Sequence, residues 1–206
     1  MGHKGLEARM KPSVYGVGYL GGNLELKTSY NGKKCPIYNA WLRMLERCYS
    51  KKLHERFPSY IGCEVSDYFK NFSNFYEWCQ DQLGFNCDDY ELDKDLLIKG
   101  NKIYSESTCV FIPSEINLLL TKSTASRGQH LIGVYWSNTN KAFVATVRKN
   151  KEKREHLGLF NTELEAFDAY KTAKESFIKE QAEKWKGKID PRAYEALMKY
   201  EVSSDD

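Results

Sequence analysis

The stretch GVYWSNTNKAFVATVRKNKEKREHLGLFNTELEAFDAY, Gly133 to Tyr170, decides the fold of the C-terminal part of the chain. In its middle, Phe143, Ala145 and Val147 alternate with Val144, Thr146 and Arg148. A period of two among apolar and β-branched residues predicts a half-buried strand. Gly133 to Ser137 reads as the strand before it, joined through a polar turn at Asn138-Thr139-Asn140. Arg154 to Phe160 reads as the strand after it, beyond a Lys149–Lys153 turn. Thr162 followed three residues later by Glu165 is a capping box and opens a helix. Ala166, Ala169, Tyr170, Ala173 and Phe177 recur at helical spacing, which predicts one helix face packed on the sheet. The other sheet face is left to solvent or to a ligand. Its basic and aromatic residues describe a solvated edge. They equally describe a cationic sheet suited to the DNA major groove, which admits a helix or a two-stranded ribbon.

Gly133-Val134, Phe143 to Arg148, His156-Leu157-Gly158-Leu159-Phe160, Asn161-Thr162, Glu165-Ala166 and Ala169-Tyr170 together carry a resemblance. The segment resembles the AP2/ERF-type DNA-binding domain of plant transcription factors and phage homing endonucleases. That resemblance implies a three-stranded antiparallel sheet on one helix, with the exposed sheet face in the major groove of double-stranded DNA. Carried over by position, the contact residues are Tyr135, Asn138, Thr146, Arg148, Arg154 and His156. Tyr135, Thr146 and His156 stand where the family has arginine or tryptophan, so base preference does not transfer. Arg148 and Arg154 are the candidates for guanine or phosphate contacts.

Charge is unevenly spread. Residues 1–60 carry eleven Lys or Arg against four Asp or Glu, residues 61–120 four against eleven, and residues 121–160 eight against two. The formal net charge of the 206-residue chain is only +3, so the sheet segment is strongly basic within a nearly neutral protein. A polyanion would find its footprint there and in the N-terminal third. Charge alone does not separate DNA from RNA.

No apolar run is long enough for a membrane helix, and MGHKGLEARMKPS lacks the apolar segment of a secretory signal. The expected location is the cytoplasm, that of a bacterial host for a phage-encoded protein. The six cysteines (35, 48, 63, 79, 87 and 109) form no Cys-x-x-Cys pair. They read as reduced core thiols rather than zinc ligands.

The first 120 residues read as a separate unit. Pro36 starts a helix to about Ser50, with Ile37, Trp41, Met44, Leu45 and Cys48 on one face. A connector at Phe57–Gly62 leads to a short strand, Cys63 to Val65. A single helix is predicted from Ser66 to Leu83, with Phe69, Phe72, Phe75 and Cys79 inward. GVGYLGG (16–22) reads as a loop or hairpin, because no strand–helix context makes it a dinucleotide fingerprint.

Tyr90 to Ile98, the Lys99–Asn101 turn, Tyr104-Ser105, Cys109 to Ile112 and a helix from Pro113 to Leu120 outline strand, loop, strand, helix. This order resembles the ββα-metal unit of HNH-type phage endonucleases. There one divalent cation sits between a strand ligand and a helix ligand, and a histidine beside the first ligand deprotonates water. The resemblance makes Asp93 and Asn117 metal ligands and Asp93, Asp95 and Asn117 the catalytic candidates. Mg²⁺ or Mn²⁺ would be the cofactor of an active nuclease, and none is needed for binding. Lys94 occupies the histidine position and Thr108 that of a middle asparagine. A lysine near its ordinary pKa is a poor base at neutral pH and repels a cation. The favoured reading of Asp93 and Asp95 is as polar groups at a strand end of a retained scaffold.

Beyond residue 30 the chain also resembles phage proteins that join an HNH-like unit to an AP2-like domain. It does so through Trp41 to Tyr49, Leu92 to Asp95, Tyr104 to Pro113 and Ile189 to Val202. The expected architecture is α+β: an extension (1–30), an HNH-like unit (31–121), a linker (122–130), an AP2-like domain (131–187), and a C-terminal helix with an acidic tail (188–206). The linker KSTASRG (122–128) suits a hinge or a phosphate-tracking segment. Three functions are expected in turn. The first is duplex DNA binding with a degenerate nuclease centre. The second is metal-dependent DNA cleavage. The third is binding of RNA, a ribonucleoprotein or a host protein.

Overall fold

The structure is a computed structural model and describes residues 2–85, 89–121, 129–149 and 154–204. The chain is mixed α and β and divides into two compact units, 1–111 and 112–206. No described helix is long and apolar enough to cross a membrane.

The first unit is built on α2 (Pro36–Tyr49), which follows α1 (Gly2–Arg9) and a two-residue hairpin of β1 (Ser29–Tyr30) with β2 (Lys33–Lys34). Proline begins α2, where its missing N–H costs nothing. The predicted face is the buried one: Ile37, Trp41, Met44, Leu45 and Cys48. Trp41 stacks among Tyr38 and Phe72, and its indole N–H donates to the Phe69 carbonyl at 2.6 Å. Cys35, Cys48, Cys63, Cys79 and Cys109 are free and buried, and Cys87 lies outside the described residues. Burial pushes the Cys48 and Cys109 thiols up to about 12, which keeps them un-ionised at neutral pH.

The single helix expected over 66–83 is two, α4 (Asp67–Lys70) and α5 (Phe72–Gln80). The break is at Asn71, whose backbone is extended and whose side chain caps Ser73 N–H. Tyr19 causes it. Its N–H donates to the Lys70 carbonyl and its own carbonyl accepts from Phe72 N–H, so the N-terminal segment takes bonds a continuous helix would keep. Phe69, Phe72, Phe75 and Cys79 remain fully buried across the break. GVGYLGG lies at a tight reversal in which Val14 and Gly18 pair. After α3 (Lys51–Arg56), β3 (Glu64–Val65) runs parallel to β5 (Ile103–Tyr104). The strand β4 (Tyr90–Asp93) pairs with β6 (Val110–Pro113).

The second unit begins within β6, so the helix α6 (Ser114–Leu120) belongs to it rather than ending the first unit at 121. Glu115 on α6 accepts from Lys184 Nζ and from the Trp185 indole. The sheet is β7 (Val134–Ser137), β8 (Ala142–Arg148) and β9 (Arg154–Phe160), antiparallel in that order. α7 (Glu163–Trp185) covers one face. Both bonds of the expected capping box are present: Glu165 N–H to Thr162 Oγ1 and Thr162 N–H to Glu165 Oε2. Val134, Ala145 and Val147 of the sheet are buried with Ala166, Phe167 and Tyr170 of the helix.

At 23 residues α7 is longer than the seven-residue strands beneath it. By helical rise it spans about 34 Å against about 23 Å of strand. Its overhang is covered by α6 and by α8 (Pro191–Met198). The buried face therefore shifts beyond Ala173. Ile178 and Ala182 are buried, while the expected Phe177 is half-buried with the Lys149 ammonium 5.6 Å from its ring centre. The chain after α8 is tied to α7, because Val202 N–H donates to Glu175 and Lys171 donates to the Val202 carbonyl.

Gly133 joins sheet to helix. Its φ is +79°, and a Cβ there would lie 2.1 Å from the Tyr170 ring. Only glycine meets both demands. Gly133→Ala is expected to cost about 1–3 kcal/mol, the usual range for overpacking, read as a lower denaturant midpoint. An unchanged midpoint would show that Tyr170 repacks freely.

Candidate nucleic-acid interface

Register decides which side chains share the uncovered face. Tyr135 pairs with Val144 and Val144 with Leu159; Thr146 pairs with His156, and Arg148 with Arg154. Ser137 pairs with Ala142 on the same side. Five of the six expected contact residues, Tyr135, Thr146, Arg148, Arg154 and His156, are therefore brought onto one face. Asn138 lies off the strands, in the turn after β7. None of the residues that the register places on this face is acidic. Glu155 pairs with Val147 on the helix side, and its carboxylate takes Lys149 at 2.7 Å. Residues 150–153 of the expected second turn lie outside the described residues, as do 122–128 of the linker.

Arg148 and Arg154 are exposed and directly opposite one another. Like charges in cross-strand register are destabilising. Among the described residues neither guanidinium has an ion-pair partner. An anion laid across the pair would remove the repulsion and take up the fork-shaped donors of both.

One residue of the face escapes a strict period-two reading, which places Leu157 and Leu159 together. A bulge opposite Ala145 and Thr146 adds one residue to β9 and changes its parity. Leu157 packs with the helix-side core, and Leu159 turns outward beside Tyr135. The sequence does carry a signal for this: Gly158, with φ of +145°, inside an apolar strand.

The second candidate site is the loop after β4. Asp93 Oδ1 accepts two backbone N–H groups, from Asp95 at 3.0 Å and Leu96 at 2.7 Å, closing a tight turn. Lys94 is only 8% exposed. Its ammonium donates to Asp95 Oδ2 at 3.1 Å and to the Asn101 carbonyl at 2.9 Å, and lies 5.7 Å from the Tyr104 ring centre. Asn101 returns a bond to the Lys94 carbonyl. Thr108 Oγ1 donates to the Ile103 carbonyl. Asp93 and Asp95 belong to the first unit and Asn117, on α6, to the second.

The donors in this loop do not fit a divalent cation. One carboxylate is engaged in the turn, and the other is paired with an ammonium, which repels a second cation. Among the described residues no group of three or more His, Cys, Asp or Glu is placed to hold a metal ion.

No family model, curated protein or solved structure matches the chain.

Burial, and next the Asp95 charge, push Asp93 up from 3.8 to about 6, against the pull of its two N–H donors and Lys94. A carboxylate raised on folding contributes most stability below 3.8, where it is protonated in both states. It loses that contribution as pH rises through about 6. Asp93→Asn keeps an oxygen for both N–H donors and removes the ionisation cost. Its melting temperature is expected to exceed the parent's by a few degrees at pH 7.5, with the difference vanishing near pH 4. A deficit at pH 7.5 would mean that the charge itself holds the loop.

Proposed function

We propose that the protein binds duplex DNA through the uncovered face of β7–β9, laid in the major groove as in the AP2-like arrangement the sequence resembles. The Asp93 loop is a degenerate relative of the HNH-type site, kept as scaffold. The carrying observation is the Arg148–Arg154 pair: opposite, exposed and without a described counter-ion, on a face where the register of the described strands places no carboxylate. A globular domain gains nothing from that placement unless an anion completes it. Groove shape favours DNA, since the narrow major groove of an A-form RNA helix excludes side chains.

Arg148→Ala with Arg154→Ala is expected to weaken binding to a mixed-sequence duplex and to flatten its salt dependence. The slope of log K against log salt should fall by about 2, near one per cation removed. Lys199→Ala, an exposed cation on the C-terminal side of α8, is the control and should leave both unchanged. Fluorescence anisotropy between 50 and 200 mM salt, about the range over which such contacts show, makes the measurement. An unaltered slope in the double variant would place the contact elsewhere.

Supercoiled DNA incubated with the protein in Mg²⁺ or Mn²⁺ is expected to remain intact while being bound. Nicking that disappears in Asp93→Ala would overturn the scaffold reading of that loop and favour the endonuclease.

A further inference from the structure

The DNA-facing sheet is chemically divided along its strands. One end carries Arg148 and Arg154, with Thr146 and His156 beside them. The other carries a cross-strand apolar row, Tyr135–Val144–Leu159. Val144 in the middle is 1% exposed, while Tyr135 and Leu159 on either side are 48% and 50% exposed. The covered helix-side core already holds Val134, Ala145 and Val147, so Leu159 contributes nothing to it. An exposed leucine and tyrosine flanking a buried valine, on the same face as two arginines with no ion-pair partner among the described residues, form an apolar contact next to a cationic one.

We propose that this row is a thymine-methyl reader, and that the face selects duplexes carrying thymine at one end of the contact and guanine at the other. The proposal rests on the DNA-binding reading above and adds its sequence preference. The major groove presents a single apolar base group, the thymine 5-methyl, while guanine O6 and N7 accept the two-pronged donation of arginine. Cytosine and adenine offer the Tyr135–Leu159 row only polar edges, which would lose water there without gaining a partner.

Spacing follows from the backbone. The apolar row at Val144 and the guanidinium row at Arg148 are four residues apart on β8. At strand rise that is about 13 Å, or about four base-pair steps along a duplex strand. The bulge in β9 is what makes this possible. Without it Leu159 would face the helix, and the apolar row would lack its third member.

The test uses the full chain and a random duplex library. Selection on the unmodified protein is expected to enrich thymine about four steps from guanine. Retained duplexes are then resynthesised with deoxyuridine for thymidine, which removes the methyl and leaves every hydrogen-bonding edge in place. The unmodified protein is expected to bind the deoxyuridine duplexes about fourfold more weakly for each methyl it buries. Leu159→Ser with Tyr135→Ser should bind both forms with the same, weaker affinity. Because the thymidine–deoxyuridine comparison is made on unmodified protein, it stands even if that variant folds poorly. Equal binding of the two forms by the unmodified protein, or selection without thymine enrichment, overturns the reader. If Arg148→Ala with Arg154→Ala still lowers affinity in that case, DNA binding by this face survives. If the arginine variant also binds normally, both readings fall.

Discussion

The packing of α7 against the sheet is the contact on which the second unit depends. A three-stranded sheet of four- and seven-residue strands gains its stability by burying an apolar face, here against a helix. Ala166, Phe167 and Tyr170 supply the cover against Val134, Ala145 and Val147. Glu163, in the first turn of the same helix, accepts from Leu131 N–H at 2.6 Å and lies 3.3 Å from His130, so the helix also fixes the chain entering β7. With one face committed to the helix, alternation sends every second side chain outward. Which positions reach the free face follows from how the covered face is filled.

That free face is built against its own stability. Arg148 and Arg154 face each other across β8 and β9, while Glu155, next to Arg154 in the chain, lies on the helix side by register and pairs with Lys149. Folding would be better served by a glutamate opposite either arginine. Among the described residues no carboxylate offsets these two like charges, and under the proposed DNA-binding function a polyanion would do so, a trade of stability for function. The exposed Tyr135 and Leu159 are a second, weaker cost of the same kind.

The Asp93 loop shows the opposite economy. Its charged groups are turned on one another: Lys94 on Asp95 and on the Asn101 carbonyl, and Asp93 on the N–H groups of Asp95 and Leu96. A lysine buried to this degree needs such partners, since an unpaired ammonium would lose far more in hydration than packing returns. The Lys94 ammonium is therefore a structural cross-link of this loop.

Much of this was legible in local sequence. Pro36 and the spacing of Trp41, Met44, Leu45 and Cys48 determine α2, because a 3.6-residue period needs no distant partner to be read. Thr162 and Glu165 determine the start of α7 for the same reason, and the alternation around Val144 determines β8. What remained hidden depends on residues far apart in the chain. Tyr19 splits the expected 66–83 helix by taking backbone bonds at Lys70 and Phe72, a competition invisible in those helices' own sequence. Register and the bulge at Leu157 are set by how three strands and a helix fit together, so only the tertiary structure could turn Leu159 outward and set Arg148 against Arg154. The sequence by itself determined which residues are apolar, which are basic and with what period they recur. Which of them meet was decided by packing, since side-chain neighbours across a sheet are separated by turns whose length does not reveal a one-residue shift.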